Sequence, residues 1–291
     1  MQFLLYIFLY PILWCISILP FRILYIFSDG VYILTYYIIG YRKKTVRENL
    51  ALALPHLSEK ERLVIEKKSF RHMCDVFLEM IKTLTISKSE IDRRYTFKNL
   101  EVYSNLEKKG KSIALLCAHY ASYEWAVSMN SKATFESYAI YKKINNRYFD
   151  KLVRTIRSKF EATLITTKEA IPVMATNFRN NKLGLYGLVS DQSPKSGSFF
   201  HWNKFMGIEV PIHTGGEMLA KKYDMNVIFL RTKKVKRGYY EATFEVLSDN
   251  VKEVPNYEIT DQFLKLVEEQ IYEQPEFYLW SHKRWKHRRE E

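Results

Sequence analysis

Residues 3–19 (FLLYIFLYPILWCISIL) carry no charge, and after Pro20 and Arg22 the apolar run resumes from Phe21 to Ile39, interrupted by Asp29 and Gly30. The first stretch has about the minimum length for a bilayer span, roughly 17 residues at the helical rise. It is longer than a signal-peptide h-region and lacks both a cationic n-region and a small-residue cleavage site, so we read a retained anchor. One span is expected over 3–19, with 22–40 as an interfacial or buried helix. Core helices of a soluble domain present the same pattern. Against them stand Arg42, Lys43, Lys44 and Arg47, a basic flank of the kind found beside anionic headgroups on the cytoplasmic side. The body of the chain is therefore expected to face the cytoplasm.

From Lys43 to Leu84 apolar residues recur at helical spacing: Val46, Leu50 and Leu54, then Leu63, Phe70, Met73, Val76, Phe77, Met80 and Ile81. Pro55 and Ser58 divide this into two helices, and Ser58 with Glu61 forms a capping box for the second. Beyond it short apolar runs alternate with periodic segments. Strands are predicted at 113–117, 137–141, 163–165, 184–189, 227–232 and 239–246. Helices are predicted at 124–129, 148–159, 171–179, 215–223 and 261–273. Strands alternating with helices define an α/β fold with a mixed, largely parallel central sheet flanked by helices. The chain divides into an anchor and interfacial helix, 1–40, and one catalytic domain, 41–291.

Charge changes the picture of the partners. A net charge of +13 and the near absence of charge before residue 41 make an apolar head on a basic body. Such a body suits an anionic lipid surface, an acidic carrier protein or a nucleic acid, and with an anchor present the lipid or carrier is the better fit. Cys15, Cys74 and Cys117 are odd in number, far apart and in apolar or helical contexts, which argues against a disulfide framework or a zinc site.

Candidate chemistry lies after the predicted strand 113–117, where His119 and Glu124 are spaced H-x4-E. On a continuous helix these positions are roughly 140° apart and would not meet. With His119 in the strand-to-helix turn and Glu124 in the first helical turn, the ring can fold back to the carboxylate. His119 would then act as general base, with Glu124 fixing its tautomer, and no serine nucleophile is needed. The helix N-terminus behind the histidine would offer backbone N–H groups to an oxyanion or phosphate. The carboxyl end of a strand is where open α/β sheets place their sites.

H-x4-E after a strand, on a basic body with an apolar N-terminus, resembles the lipid A late acyltransferases (lauroyl/myristoyl type) of the lysophospholipid acyltransferase superfamily. Further stretches are similar to that family: residues 41–50 (YRKKTVRENL), 70–81 (FRHMCDVFLEMI), Ser190-Asp191-Gln192, and the ending Trp280-Ser-His282-Lys-Arg284-Trp-Lys286. The resemblance implies O-acyl transfer from an acyl thioester, on acyl carrier protein or coenzyme A, to a hydroxyl of a lipid A precursor or related glycolipid at the bacterial inner membrane. It implies no metal and no cofactor beyond that co-substrate. It assigns His119 and Glu124 to catalysis, Arg157 of Arg154-x-x-Arg157 to substrate contact, and Asp191 to the site. Glu124 stands where the wider superfamily commonly has Asp, which favours the lipid A branch without fixing the acceptor. Another lysophospholipid or an aminolipid is the alternative acceptor.

Arg154 and Arg157 suit phosphorylated headgroups or a carrier's phosphopantetheine, and equally the solvated face of their helix. Asp191 and Gln192 form either an ordinary turn or a part of the substrate site that positions Arg157 or the acceptor. The loop 193–202 and the segment Phe205-Met-Gly207 are read as connection or channel. Lys283, Arg284, Lys286, Arg288 and Arg289 interleave with Trp285 in a composition suited to interfacial anchoring or nucleic-acid contact. The rival from another class is a membrane-tethered nucleic-acid-binding or scaffold protein, which needs no chemistry at His119. A serine hydrolase is disfavoured, since no G-x-S-x-G occurs.

Overall fold

The computed structural model describes residues 2–289. Two apolar helices, α1 (Gln2–Ile18) and α2 (Phe21–Ile33, continued by a wider turn over Leu34–Ile39), lead into α3 (Lys43–Ala53) and α4 (Glu59–Lys82). The predicted capping box is formed: Ser58 N–H donates to Glu61 Oε2 at 2.7 Å while Ser58 Oγ accepts from Glu61 N–H. There follow α5 (Lys88–Arg94), β1 (Tyr95–Phe97), α6 (Leu100–Glu107), β2 (Ile113–Cys117), β3 (Glu136–Tyr141), α7 (Arg147–Arg157), β4 (Thr163–Thr166) and α8 (Ala170–Arg179). The chain closes with β5 (Gly184–Val189), β6 (Trp202–Phe205), β7 (Ile208–Pro211), α9 (Gly215–Lys222), β8 (Asn226–Lys236), β9 (Tyr239–Ser248) and α10 (Glu258–Glu273).

Seven strands form one sheet in the order β1-β9-β8-β2-β5-β3-β4, parallel throughout except for the antiparallel β8–β9 pair. This is the expected α/β class. Every residue of β2 is buried, as a central strand covered on both faces requires. The segment predicted as loop or channel instead contains the β6–β7 hairpin, which Gly207 closes at a φ of 78°. Its signal was hidden because Trp202, Phe205, Val210 and Pro211 are few and flanked by Ser, Pro and Gly. The helix predicted over 124–129 is a 3-10 segment, Trp125–Lys132.

The N-terminal helices depart from the expected division of labour. The helix Phe21–Ile39, not the first stretch, is long and apolar enough to cross a membrane, at 19 residues. Its inner face is nonetheless pinned to α4. Ser28 donates to Asp75 at 2.7 Å, Tyr25 to Glu79 at 2.8 Å and Tyr36 to Glu66 at 2.8 Å. Leu24, Ser28, Tyr32 and Tyr36, four residues apart, are buried there. The outer face leaves Ile23, Ile26, Phe27, Ile33, Ile38 and Ile39 exposed, continuous in character with Ile7, Phe8, Ile12 and Trp14 of α1.

The C-terminal segment after α10 returns across the sheet. Leu279 N–H donates to the His119 carbonyl at 3.1 Å, and Ala121 N–H to the Phe277 carbonyl at 3.0 Å, so residues 277–279 clasp the turn after β2. Asn49 of α3 holds the same segment, its amide donating to the Trp280 and His282 carbonyls at 2.7 Å each. Trp280, Arg284 and Trp285 are fully buried, with Trp285 stacked on Phe205. Arg284 and Trp285 are therefore core residues rather than the surface anchor their composition predicted.

Candidate active site

Parallel register builds the site. Cys117 of β2 pairs with Val189 of β5, so the residues two positions beyond each strand, His119 and Asp191, emerge side by side at the carboxyl end of the sheet. His119 Nδ1 lies 2.7 Å from Asp191 Oδ1, and the same oxygen accepts the His119 backbone N–H at 3.1 Å. Asp191 is buried and His119 partly open. Burial alone would push the Asp191 carboxyl up, but the imidazole beside it and these hydrogen bonds outweigh that and hold it below its ordinary value. With an ionised acceptor at Nδ1 the ring carries its proton there, leaving Nε2 as the unprotonated nitrogen.

The contact expected between His119 and Glu124 is replaced by another. Glu124, at the last position before the 3-10 segment, turns to Arg157 at the end of α7, which grips it in a bidentate pair of 2.8 and 2.6 Å. The carboxylate bonded to His119 is thus Asp191 and not Glu124, and Asp191 reaches His119 rather than Arg157. Burial opposes the charge on Arg157, yet Glu124 more than offsets it and raises the guanidinium further. The fork uses Nε and Nη2 on Glu124, and the remaining donors of a half-buried guanidinium point elsewhere.

Arg154, one turn earlier, is exposed on the outer side of α7 and lines an open cleft of about 420 Å³ with Arg147, Lys151 and Thr155. Gln192 is half-buried beside Asp191. Of the six predicted site residues, the fold therefore makes two pairs, His119–Asp191 and Glu124–Arg157, with Gln192 adjoining the first and Arg154 outside the second. Ser122 is fully buried and makes no bond to His119.

The backbone donors of the turn itself are engaged, whereas those of Ser122, Tyr123 and Glu124, just ahead of the 3-10 segment, have no bond among the described residues. The N–H of His119 goes to Asp191, that of Tyr120 to Ala118 at 2.7 Å, and that of Ala121 to Phe277. Ala121 holds a left-handed φ of 49°, a conformation costly for a residue with a Cβ and kept here by the clasp of residues 277–279.

A cavity of about 140 Å³ opens on His119, Tyr123 and Glu124 and is walled by Met73, Phe77 and Met80 of α4. Its wall is mainly apolar, and Phe77 in that wall is half exposed. One residue that sequence reasoning did not single out lies here: His72, buried in α4, with Lys234 of β8 beside it. It lay unremarked within the 70–81 stretch, because only the fold brings α4 against the turn after β2.

Comparison with known proteins bears on this arrangement. Residues 2–287 match the family model of the bacterial lipid A biosynthesis acyltransferases. The lipid A biosynthesis lauroyltransferase of Escherichia coli (strain K12) is 22% identical over 280 residues, covering 96% of this chain and 90% of that protein.

Proposed function

The chain belongs to the bacterial lipid A biosynthesis acyltransferase family, and from that premise we propose that it moves a fatty acyl chain from a thioester, carried by acyl carrier protein, to a hydroxyl of a lipid A precursor at the inner membrane. The observation that carries this reading is the His119–Asp191 pair at 2.7 Å opening on an apolar cavity. His119 Nε2 takes the proton of the acceptor hydroxyl as its oxygen adds to the thioester carbonyl carbon. Collapse of the tetrahedral adduct breaks the C–S bond, and the imidazolium returns the proton to the thiolate. Asp191 stabilises the imidazolium between these steps, and general-base help of this kind contributes on the order of 10²–10⁴-fold.

The reacting carbonyl sits beside His119 while its chain lies along Met73, Phe77 and Met80. Glu124 sets the orientation of Arg157, whose remaining donors suit a phosphate of the acceptor or of the donor's pantetheine arm. Arg154 and Gln192 extend that polar side. The exposed apolar faces of α1 and α2 insert into one leaflet, so acceptor and acyl chain reach the site from the membrane while the basic body meets an acidic carrier on the cytoplasmic side. No metal or organic cofactor is needed for this chemistry.

The test is transfer by detergent-purified protein, with acyl carrier protein and coenzyme A thioesters offered separately against a lipid A precursor and a lysophospholipid. Transfer to the lipid A precursor from the carrier-protein thioester, lost in His119→Ala, is expected. Undiminished transfer by His119→Ala removes the mechanism, and transfer only to the lysophospholipid moves the enzyme to another acceptor.

A further inference from the structure

The acyl cavity has a second histidine. His72 of α4 lines it together with His119, is 6% exposed, and its Nε2 is buried with no hydrogen-bond partner among the described residues. Its other nitrogen is occupied: Lys234 Nζ lies 3.1 Å from His72 Nδ1. An ammonium has only donors, so Nδ1 must accept, and in the neutral ring the proton is then on Nε2.

Three features keep the ring in that state. Burial, and next the Lys234 charge, hold His72 well below the ordinary imidazole value, so it stays neutral. Lys234 is itself fixed, 3.6 Å from the buried Asp75 and over the Phe277 ring. The His72 ring packs edge-on against Phe277, with centroids 4.8 Å apart, which opposes a flip. The Ala121 carbonyl faces the ring and draws it toward the protonated form without completing a hydrogen bond.

We propose that the Nε2–H of His72 is the side-chain donor that receives the thioester carbonyl oxygen. This rests on the acyl-transfer reading above and assigns the group that meets the negative charge of its transition state. As the acceptor oxygen adds, the carbonyl π pair moves onto oxygen, and the resulting oxyanion accepts the His72 hydrogen bond. When the carbonyl re-forms, the C–S bond breaks and His119 protonates the thiolate. His72 transfers no proton at any point, and a neutral imidazole held as a fixed donor in a dry site serves this role well. The N–H groups of His119, Tyr120 and Ala121 are already engaged, so His72 shares the oxyanion only with the backbone donors of Ser122, Tyr123 and Glu124.

The experiment compares His72→Phe, His72→Gln and His72→Asn with wild type and His119→Ala, using full-length protein in detergent and the acyl carrier protein thioester. Phe keeps the ring but has no N–H, Gln carries an amide N–H at a reach close to Nε2, and Asn falls short of it. His72→Phe is expected to lower kcat on the order of 10²–10³-fold, with KM for either substrate within about threefold. Gln is expected to recover at least about tenfold of that loss, and Asn to recover little. If His72→Phe does not fold, the Gln-to-Asn ratio of kcat in folded protein decides alone. A kcat for His72→Phe within about threefold of wild type, or equal rates for Gln and Asn, overturns the assignment. Loss in His119→Ala alongside such a result leaves the base mechanism standing, whereas full transfer by His119→Ala removes the mechanism on which both rest.

Discussion

Asp191 Oδ1 accepts two hydrogen bonds from one residue, the ring Nδ1 and the backbone N–H of His119, so it fixes both the tautomer and the position of the imidazole. Asp191→Asn keeps the shape but removes the charge that stabilises the imidazolium, and an amide can equally present its NH₂ to Nδ1 and reverse the tautomer. We expect kcat to fall about 10²–10⁴-fold with secondary structure retained, measured by acyl transfer and circular dichroism on the same preparation. A rate within a few-fold of wild type would show that the carboxylate plays no part in the proton transfer.

Glu124 and Arg157 form a largely buried bidentate pair, with side chains 8% and 27% exposed. Removing one partner leaves the other charge uncompensated, at a cost of about 3 kcal/mol, while removing both charges relieves much of that. Arg157→Ala is expected to lower stability and activity together. Adding Glu124→Gln should restore a good part of the stability in denaturant melts but not the transfer rate, if Arg157 also meets a substrate phosphate. Recovery of rate along with stability would make the pair purely structural.

How much of this was legible in the sequence depends on the range of the signal. The types of the predicted elements mostly followed from local patterns, although α5, β1, α6 and the β6–β7 hairpin went unread, and β2 and β5 were readable to the residue because each is a short apolar run bounded by polar residues. H-x4-E was legible as a motif, and its placement after a strand was right. Its internal contact was not, because the partner of His119 is 72 residues away and is set by the parallel register of β2 and β5. The same limit hid His72, whose relation to Lys234 spans 162 residues. Arg284 and Trp285 looked like a solvated basic ending, and only packing under the β6–β7 hairpin reveals them as core. The resemblance brought His119, Glu124, Arg157 and Asp191 together as one set, and the geometry divides that set into two pairs.

A half-buried histidine gives stability a pH dependence of known sign. Burial lowers His282 to about 4, against an unfolded value near 6.5, so between these limits the unfolded chain binds a proton that the folded chain does not. Stability from this group is therefore fully present above the unfolded value and is lost as pH falls toward 4. Asp191, held low, loses its contribution only at still lower pH, whereas buried Glu79 and half-buried Glu268, held high, act in the opposite sense. The clean measurement is a difference. His282→Gln should gain stability relative to wild type as pH drops from 7.5 to 5, read as the gap in melting temperature, and a gap independent of pH contradicts the assignment.

The outer faces of α1 and α2 can be altered without touching the core. Ile26 and Ile38 are 72% and 73% exposed, on the side of the helix opposite the Ser28, Tyr32 and Tyr36 contacts to α4. A carboxylate at either position removes no packed contact, so folding and transfer to a detergent-dispersed acceptor should change little. In a membrane the same carboxylate must enter the acyl boundary and repel anionic headgroups, at a cost of roughly 2–3 kcal/mol for each charge placed deep in the bilayer. Ile26→Glu with Ile38→Glu is therefore expected to shift the protein from sedimenting with anionic vesicles to remaining in the supernatant, and to slow transfer to a vesicle-embedded acceptor more than transfer in detergent. Because α2 is already pinned to α4 by buried polar contacts, insertion of one face is sufficient for this behaviour and a full crossing by α2 is not needed. If the double variant partitions and turns over on vesicles like wild type, attachment resides elsewhere, with α1 the remaining apolar helix to carry it.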